Sequence, residues 1–432
     1  MEGTGVGSHA RASMPSYAQV FRTGGFVPAL LALSISTWGD FIARVAVAFV
    51  VREQTGSDLA MAATFAASLL PSIVGRSLLS PFADRIPYKH VLVGSDVVRG
   101  LFVLAIIAAV GQQSPVLVLL GLLFALELFG GPAGASHQIL LTDLFPDRRA
   151  FLRARGLSTL ADQLNQAIGL AVGGVIVTAL SALGALVVDL LTFAVSAVLF
   201  LVAVRSRAVD GIPSPGIVGF FTDIREGARY LARHRVLVSL LTLSLIAMLG
   251  VVAPEAVAIP YVLDHDFPAW LGGLLMASPV LGAVCGVIVV GRWEPEVAGA
   301  RMLVMALLMP VPLICAALVP PTLGWLPLVW LMWFASGVLQ AFLLPLQATF
   351  ALVTAPQMRG RVIGLAGAGS MTSSAVGFLL AGWLSEELGP RTSGAVCGML
   401  CLGGMALLAA AWPKRSLRKA VDEAFNGSPA AR

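Results

Sequence analysis

Five ionisable residues interrupt stretches that are otherwise almost wholly apolar: Asp40, Arg44, Glu127, Asp189 and Glu255. A charge in such a stretch is costly unless it faces water or a partner, so residues of this kind mark proton relays, ion paths or buried pairs. Asp40 and Arg44 are four apart on one helical face and can pair. Glu127 has no cation near it in the sequence. Unequal surroundings give two carboxyls different roles. Asp40 is expected to stay ionised against Arg44 until a polar or cationic group competes for it, and Glu127 to take up and release a proton. Proton coupling is assigned to Glu127, Asp40 and Arg44, with a structural hydrogen-bonding role as the alternative. Asp189 and Glu255, read as lying toward the outer ends of their segments, are further candidates. Arg76 and Asp162, near the inner ends, are accounted for by snorkelling or a local ion pair.

A second group of residues suits binding. One apolar segment carries Trp330, Trp333, Phe334, Gln340 and Phe342, and another carries Trp38 and Phe41. Aromatic rings with a few polar groups fit a bulky amphipathic ligand. A substrate cavity is expected around Trp38, Phe41, Trp330, Trp333 and Gln340; rings facing lipid are the alternative. The sequence contains no nucleophile constellation, metal-ligand spacing or phosphate loop, so neither an enzyme nor a metal or cofactor site is expected. Cys285, Cys315, Cys397 and Cys401 all lie within apolar segments and read as small hydrophobes.

The elements that must position these residues follow from composition. The 432 residues are 58% hydrophobic and 12% charged, with a mean hydropathy of +0.89, whereas soluble chains carry about 25% charged residues. Lipid is therefore the solvent for most of the chain. A hydrocarbon core about 30 Å thick needs about 20 apolar residues per helix. Such stretches fall near Phe26 to Val50, Leu59 to Leu79, Val91 to Val110, Val116 to Leu140, Gly156 to Leu180, Leu183 to Val204, Val236 to Val262, Trp270 to Gly291, Met302 to Val319, Leu326 to Val353, Val362 to Leu384 and Ser393 to Trp412. An all-α membrane protein with 12 transmembrane helices is expected. The first stretch is too long for a signal-peptide core and is expected to be retained.

The net charge of +5 does not point to nucleic acid, because the basic residues sit in short loops where the positive-inside rule places them. Arg85, Lys89, Arg148, Arg149, Arg153, Arg155, Arg292, Arg301, Arg359 and Arg361 all fall on one side, and only Arg52 and Arg391 on the other. Both termini are therefore expected in the cytoplasm, with the protein in a bacterial inner membrane. The one long connection, 205–235, holds an amphipathic stretch from Phe220 to Ala232, read as a surface helix or a solvated linker. It divides the chain into a tail (1–25), a six-helix bundle (26–204), the linker, a second six-helix bundle (236–412) and a tail (413–432). Arg153, Gly156, Leu157, Gly169 and Gly174 recur 208 positions later as Arg361, Gly364, Leu365, Gly377 and Gly382, as two pseudo-symmetric halves would require.

Ser36-Thr-Trp-Gly-Asp40, Ser80-Pro-Phe-Ala-Asp-Arg85, Asp96-Val-Val-Arg99 and Arg225-Glu-Gly-Ala-Arg-Tyr-Leu231 resemble the major facilitator superfamily, specifically its drug:proton antiporter branch that includes macrolide-efflux proteins and the enterobactin exporter. Asp84, Arg85 and Lys89 fit the superfamily signature G-x-x-x-D-R-x-G-R-K/R, while Ser80, Pro87 and Tyr88 depart from it. The resemblance implies a conformational latch of Asp84, Arg85, Lys89, Asp96 and Arg99. The antiporter sequence G-x8-G-x3-G-P-x2-G-G is similar to Gly156, Asn165, Gly169, Leu170, Gly173 and Gly174, with one glycine and the proline replaced; close helix packing is the alternative reading. The implied function is proton-driven export of a bulky amphipathic small molecule by a monomer. A metabolite facilitator or importer, or a non-transporting receptor or scaffold, are the alternatives.

Overall fold

Within hydrocarbon, backbone polar groups must bond inside their own segment, which makes a stretch of about 20 apolar residues helical. The computed structural model describes residues 17–78, 86–204, 217–413 and 415–417, and those residues contain helices and no strand. The main helices are α1 (Phe26–Thr55), α2 (Asp58–Leu78), α3 (Tyr88–Gly111), α4 (Val116–Leu144), a 56-residue helix Arg148–Ala203, α7 (Arg235–Asp264), α8 (Trp270–Val290), α9 (Pro295–Ala316), α10 (Leu323–Val353), α11 (Arg359–Leu388) and α12 (Pro390–Ala410). Ten of these are long and apolar enough to cross a membrane. The 56-residue helix is broken at Ser181, whose φ of 71° and ψ of 168° are not helical. It is treated as α5 (148–180) and α6 (182–203), and Ser181 Oγ caps the second by accepting from the Gly184 N–H at 3.4 Å. The remaining helix, α2, has an apolar run that stops at Pro71.

Several helices outrun the apolar windows. α1 continues to Thr55 and α5 begins at Arg148, because backbone hydrogen bonding extends past the apolar core into turns that carry charge. Two helices are less regular than expected: α4 is hitched at Phe129, and a 3-10 turn, Gln340–Phe342, interrupts α10. The linker forms a helix, Ile217–Arg233. Arg361 ties it to the start of α11, pairing with Asp223 at 2.7 Å and Glu226 at 2.6 Å. Asp84 and Arg85 lie outside the described residues, as do 1–16, 205–216, 418–432 and the side chain of Arg76.

The 208-residue repeat appears as matched contacts. On α5, Gly169 faces Phe41 of α1; on α11, Gly377 faces Leu249 and Val252 of α7. Gly174 meets Trp270 and Gly273 at the start of α8, and Gly382 meets Asp58, Leu59 and Ala62 at the start of α2. One apolar core joins the first six helices to the second, bringing Val45, Met61, Phe65 and Leu170 together with Val257 and Phe378. Phe65 and Phe378 stack with centroids 5.4 Å apart. This shared core lies toward the turn between α1 and α2, the Arg52 end. At the opposite, linker end the cores are separate: Phe26, Leu141 and Phe145 belong to one, and Leu231, Leu237 and Met302 to another.

The Arg52 end closes by backbone contact. A Cβ on Gly273 would lie 2.4 Å from the Leu170 carbonyl oxygen, so a branched side chain there forces α8 away from α5. Gly273→Val is expected to lengthen the distance between spin labels on the exposed Glu53 and Glu387. An unchanged distance distribution would show that the approach of α5 and α8 does not close this end.

Candidate functional site

Asp40 and Glu127 each have their ion-pair partner on another helix. Arg44 on α1 pairs with Glu127 on α4, Nη2 to Oε1 at 2.6 Å and Nε to Oε1 at 2.7 Å. Asp40 on α1 pairs with Arg99 on α3 at 2.5 Å. The expected Asp40–Arg44 pair on one helix is therefore replaced by two cross-helix pairs, and Glu127 is not isolated. Pairing along α1 would take Arg44 from Glu127 and Asp40 from Arg99, and breaking a buried pair is strongly destabilising. One ring lies against each cation: Arg44 is 4.7 Å from the Phe41 centroid and Arg99 4.7 Å from that of Phe193.

Asp96, one turn before Arg99 on α3, joins the same cluster and accepts from Ser36 Oγ at 3.5 Å. Asp96 and Arg99, grouped in sequence with the loop latch, are thus buried inside the helix bundle. Lys89 remains at the helix end, donating to the Leu201 carbonyl of α6 at 2.7 Å. A cavity of about 190 Å³ opens onto Ser36, Thr37, Asp40, Asp96, Arg99 and Glu127.

Two acids lie deeper than the sequence reading placed them. Asp189 on α6 is fully buried against Gly39 of α1, immediately before Asp40. Glu255 on α7 accepts from Gln166 Nε2 of α5 at 3.3 Å, a bond between the first and second groups of six helices, with Arg44 as its charged neighbour.

The glycine-rich face of α5 docks on α1. Asn165 accepts from Trp38 Nε1 at 2.8 Å and donates to Ser34 Oγ at 2.9 Å. Gly169 and Gly173 admit Phe41 and Ile42, Gly174 reaches α8, and a Cβ at Gly156 would point into open space. The five aromatic and amide candidates divide among four places. Trp38 and Phe41 adjoin the charge cluster. Trp333 is buried in the shared core, 6.3 Å from the Tyr261 ring, and Gln340 is buried in the 3-10 turn of α10. Trp330 donates to the Leu274 carbonyl at 3.2 Å and, with Trp270, lines an apolar groove of about 550 Å³.

Sequence reasoning missed a polar clasp at the Arg52 end. Arg52 pairs with Asp58 at 2.6 Å and reaches Asp264 of α7 at 3.6 Å. Ser385 of α11 donates to the second Asp58 oxygen at 2.6 Å. Glu386 of α11 accepts from Ser57 Oγ at 2.9 Å and from the Leu59 N–H at 3.3 Å. The available signal was that Arg52 and Arg391 are the two cations on the arginine-poor side. Both are engaged: Arg391 donates to the Ala317 and Val319 carbonyls at the end of α9, at 2.6 and 2.9 Å.

Many apolar helices around a buried cluster of paired charges and a polar cavity define a polytopic membrane transporter. Residues 29–357 match the Major Facilitator Superfamily, and the chain belongs to that family. Multidrug efflux pump Tap of Mycolicibacterium fortuitum is 27% identical over 364 residues, covering 81% of this chain and 87% of that protein. The protein of the same name from Mycobacterium tuberculosis (strain ATCC 25618 / H37Rv) is 24% identical over 377 residues, covering 83% and 87%. Among solved structures, the nucleoside transporter NupG superposes with a TM-score of 0.72 at 10% identity, covering 90% of this chain and 99% of that one. A bacterial homolog of the human lysosomal transporter Spinster, inward-facing and unoccupied, gives 0.62 at 15% identity, covering 94% and 99%. These last two likenesses concern the fold alone.

Proposed function

We propose that the protein is a proton-coupled exporter of a bulky amphipathic small molecule, working by alternating access. The observation that carries this reading is the pair of buried guanidinium–carboxylate bridges, Arg44–Glu127 and Arg99–Asp40, facing one cavity. A proton arriving on either carboxylate neutralises it and frees its arginine, so proton occupancy and helix packing become linked. The name of the Tap relatives supports export as the direction and a drug-like molecule as cargo. Trp38 and Phe41, beside the cluster, are the aromatic surface offered to that cargo.

The moving bodies in this reading are the halves 26–204 and 236–412, which rock about their shared core. The linker end, rich in arginine, is cytoplasmic together with both termini, and the Arg52 end faces outward in a bacterial cytoplasmic membrane. The conformation is then sealed outside, and the monomer is the working unit. Asp84, Arg85 and Lys89 form the latch of the opposite state; in the present conformation Lys89 donates instead to the Leu201 carbonyl at the end of α6.

Purified protein in liposomes decides the matter, with an imposed pH gradient as the sole energy source and ethidium as the probe. Wild type should accumulate ethidium against its gradient, and Glu127→Gln, fixed in the neutral form, should bind ethidium yet lose accumulation. A wild type that accumulates nothing under the pH gradient refutes proton coupling. A Glu127→Gln protein that still concentrates the probe removes Glu127 from the proton path.

A further inference from the structure

Charge balance within the cluster singles out a residue that the two ion pairs leave over. Among the described residues, four carboxyls, those of Asp40, Asp96, Glu127 and Asp189, share the interior of the first six helices with two guanidiniums, Arg44 and Arg99. Both guanidiniums are already committed, to Glu127 and Asp40. Two negative charges would remain if every acid were ionised. An ionised carboxylate without a cation or donors is too costly to bury, and such a group takes a proton instead.

Asp189 is the more enclosed of the two left over. It is 0% exposed, against 4% for Asp96, and it is not among the residues that line the cavity. Its Oδ2 has no hydrogen-bond partner among the described residues, and its Oδ1 has one long contact, from Thr192 Oγ1 at 3.4 Å. The site is nevertheless fitted to the carboxyl: a Cβ on Gly39 would stand 2.2 Å from Oδ1 and 2.0 Å from Thr192 Oγ1, so glycine at 39 makes the room. The charged groups facing it from other helices are Asp40 of α1, Arg99 of α3 and Glu127 of α4.

We propose that Asp189 carries a second proton of the transport cycle, held on its carboxyl in this conformation and released when Arg99 turns to it from Asp40. The inference rests on the proton-coupled reading above and adds to it a carrier outside the cavity. The exchange balances: an O–H bond forms on Asp40 with a proton from cavity water, Arg99 leaves the neutralised Asp40, and the O–H bond of Asp189 breaks as the guanidinium reaches it. The Asp189 proton passes at that moment to water admitted at the Gly39 contact of α1 with α6, a local opening within the first half that accompanies the rocking of the halves.

The test is Asp189→Asn, which has the shape of a protonated carboxyl and cannot release a proton. Liposomes carry the full chain with membrane potential clamped at zero, and the steady-state ethidium ratio is read at a pH difference of one unit. Each coupled proton contributes about a factor of ten to that ratio. Asp189→Asn should therefore lower it about tenfold, with unchanged ethidium affinity and a melting temperature no lower than wild type. A ratio equal to wild type overturns the proposal. So does an Asp189→Asn protein that fails to fold, because a mimic of the protonated acid must be tolerated where the acid is protonated. If wild type itself builds no ratio, proton coupling as a whole falls, an outcome distinct from either of these.

Discussion

Asp40→Asn should cost the folded protein about 3–5 kcal/mol, the penalty typical of removing one partner from a buried ion pair. The Arg99 side chain is 6% exposed and its nearest carboxylate is Asp40 at 2.5 Å. Its ring neighbour Phe193, 4.7 Å away, offers a weaker attraction of about 0.5–2 kcal/mol, and Asp96, a turn away, is the remaining nearby acid. The substitution keeps shape and volume, so little of the loss is packing. What is lost is compensation of a guanidinium that is almost wholly buried in the bundle. Urea unfolding in detergent, followed by circular dichroism, should show the fall. The double variant Asp40→Asn/Arg99→Met should recover most of it, since removing both charges is close to neutral where removing one is not. Recovered stability should not bring back pH-driven ethidium accumulation. A single variant as stable as wild type would mean that Arg99 finds another anion and that the 2.5 Å pair is dispensable.

The fold was legible because the bilayer imposes a simple pattern: apolar windows located every helix core, and the arginines of 148–155, 205–235 and 359–361 marked one side. The windows failed where charge sits within a helix. Arg52 and Arg148 lie on helical turns beyond the apolar run, and the turn between α5 and α6 is a single residue, Ser181, with no glycine or proline to announce it. The candidate acids were found by the same logic, since a carboxyl amid leucine and valine stands out wherever it sits. Their partners were not found. Sequence spacing reports neighbours along one helix, so Arg44 looked like the partner of Asp40, whereas Glu127 is 83 residues from Arg44 and Arg99 is 59 from Asp40. Depth was misread for a related reason. Asp189 follows the break at Ser181 by only two turns, yet α6 packs so that it meets Gly39 near the centre of α1. The repeat of five residues at an offset of 208 carried more than its length suggested, because Gly174 and Gly382 each mark where a helix of one group touches the other.

Arg52→Gln should shift the protein away from the conformation closed at the Arg52 end. The clasp joins the turn between α1 and α2 to the ends of α7 and α11, so its bonds exist only while the halves touch there. Asp58 holds most of the energy: its side chain is 5% exposed, and its two oxygens are divided between Arg52 and Ser385 at 2.6 Å each. A hydrogen bond to a charged group contributes about 1.5–3 kcal/mol, equivalent to about a 10- to 100-fold change in the balance of two conformations. Asp264 and Glu386 are more exposed and should matter less, because water competes for them and salt screens them. Amide hydrogen exchange separates a switch from local loosening. In a switch, uptake rises at 57–62 and 382–387 while it falls at the linker end, where the opposite state brings 26–204 and 236–412 together. Asp58→Asn should reproduce both changes, and Glu386→Gln should show a smaller version. Faster exchange confined to 52–58, with no answering protection at the linker end, would reduce the clasp to a cap on α1 and α2.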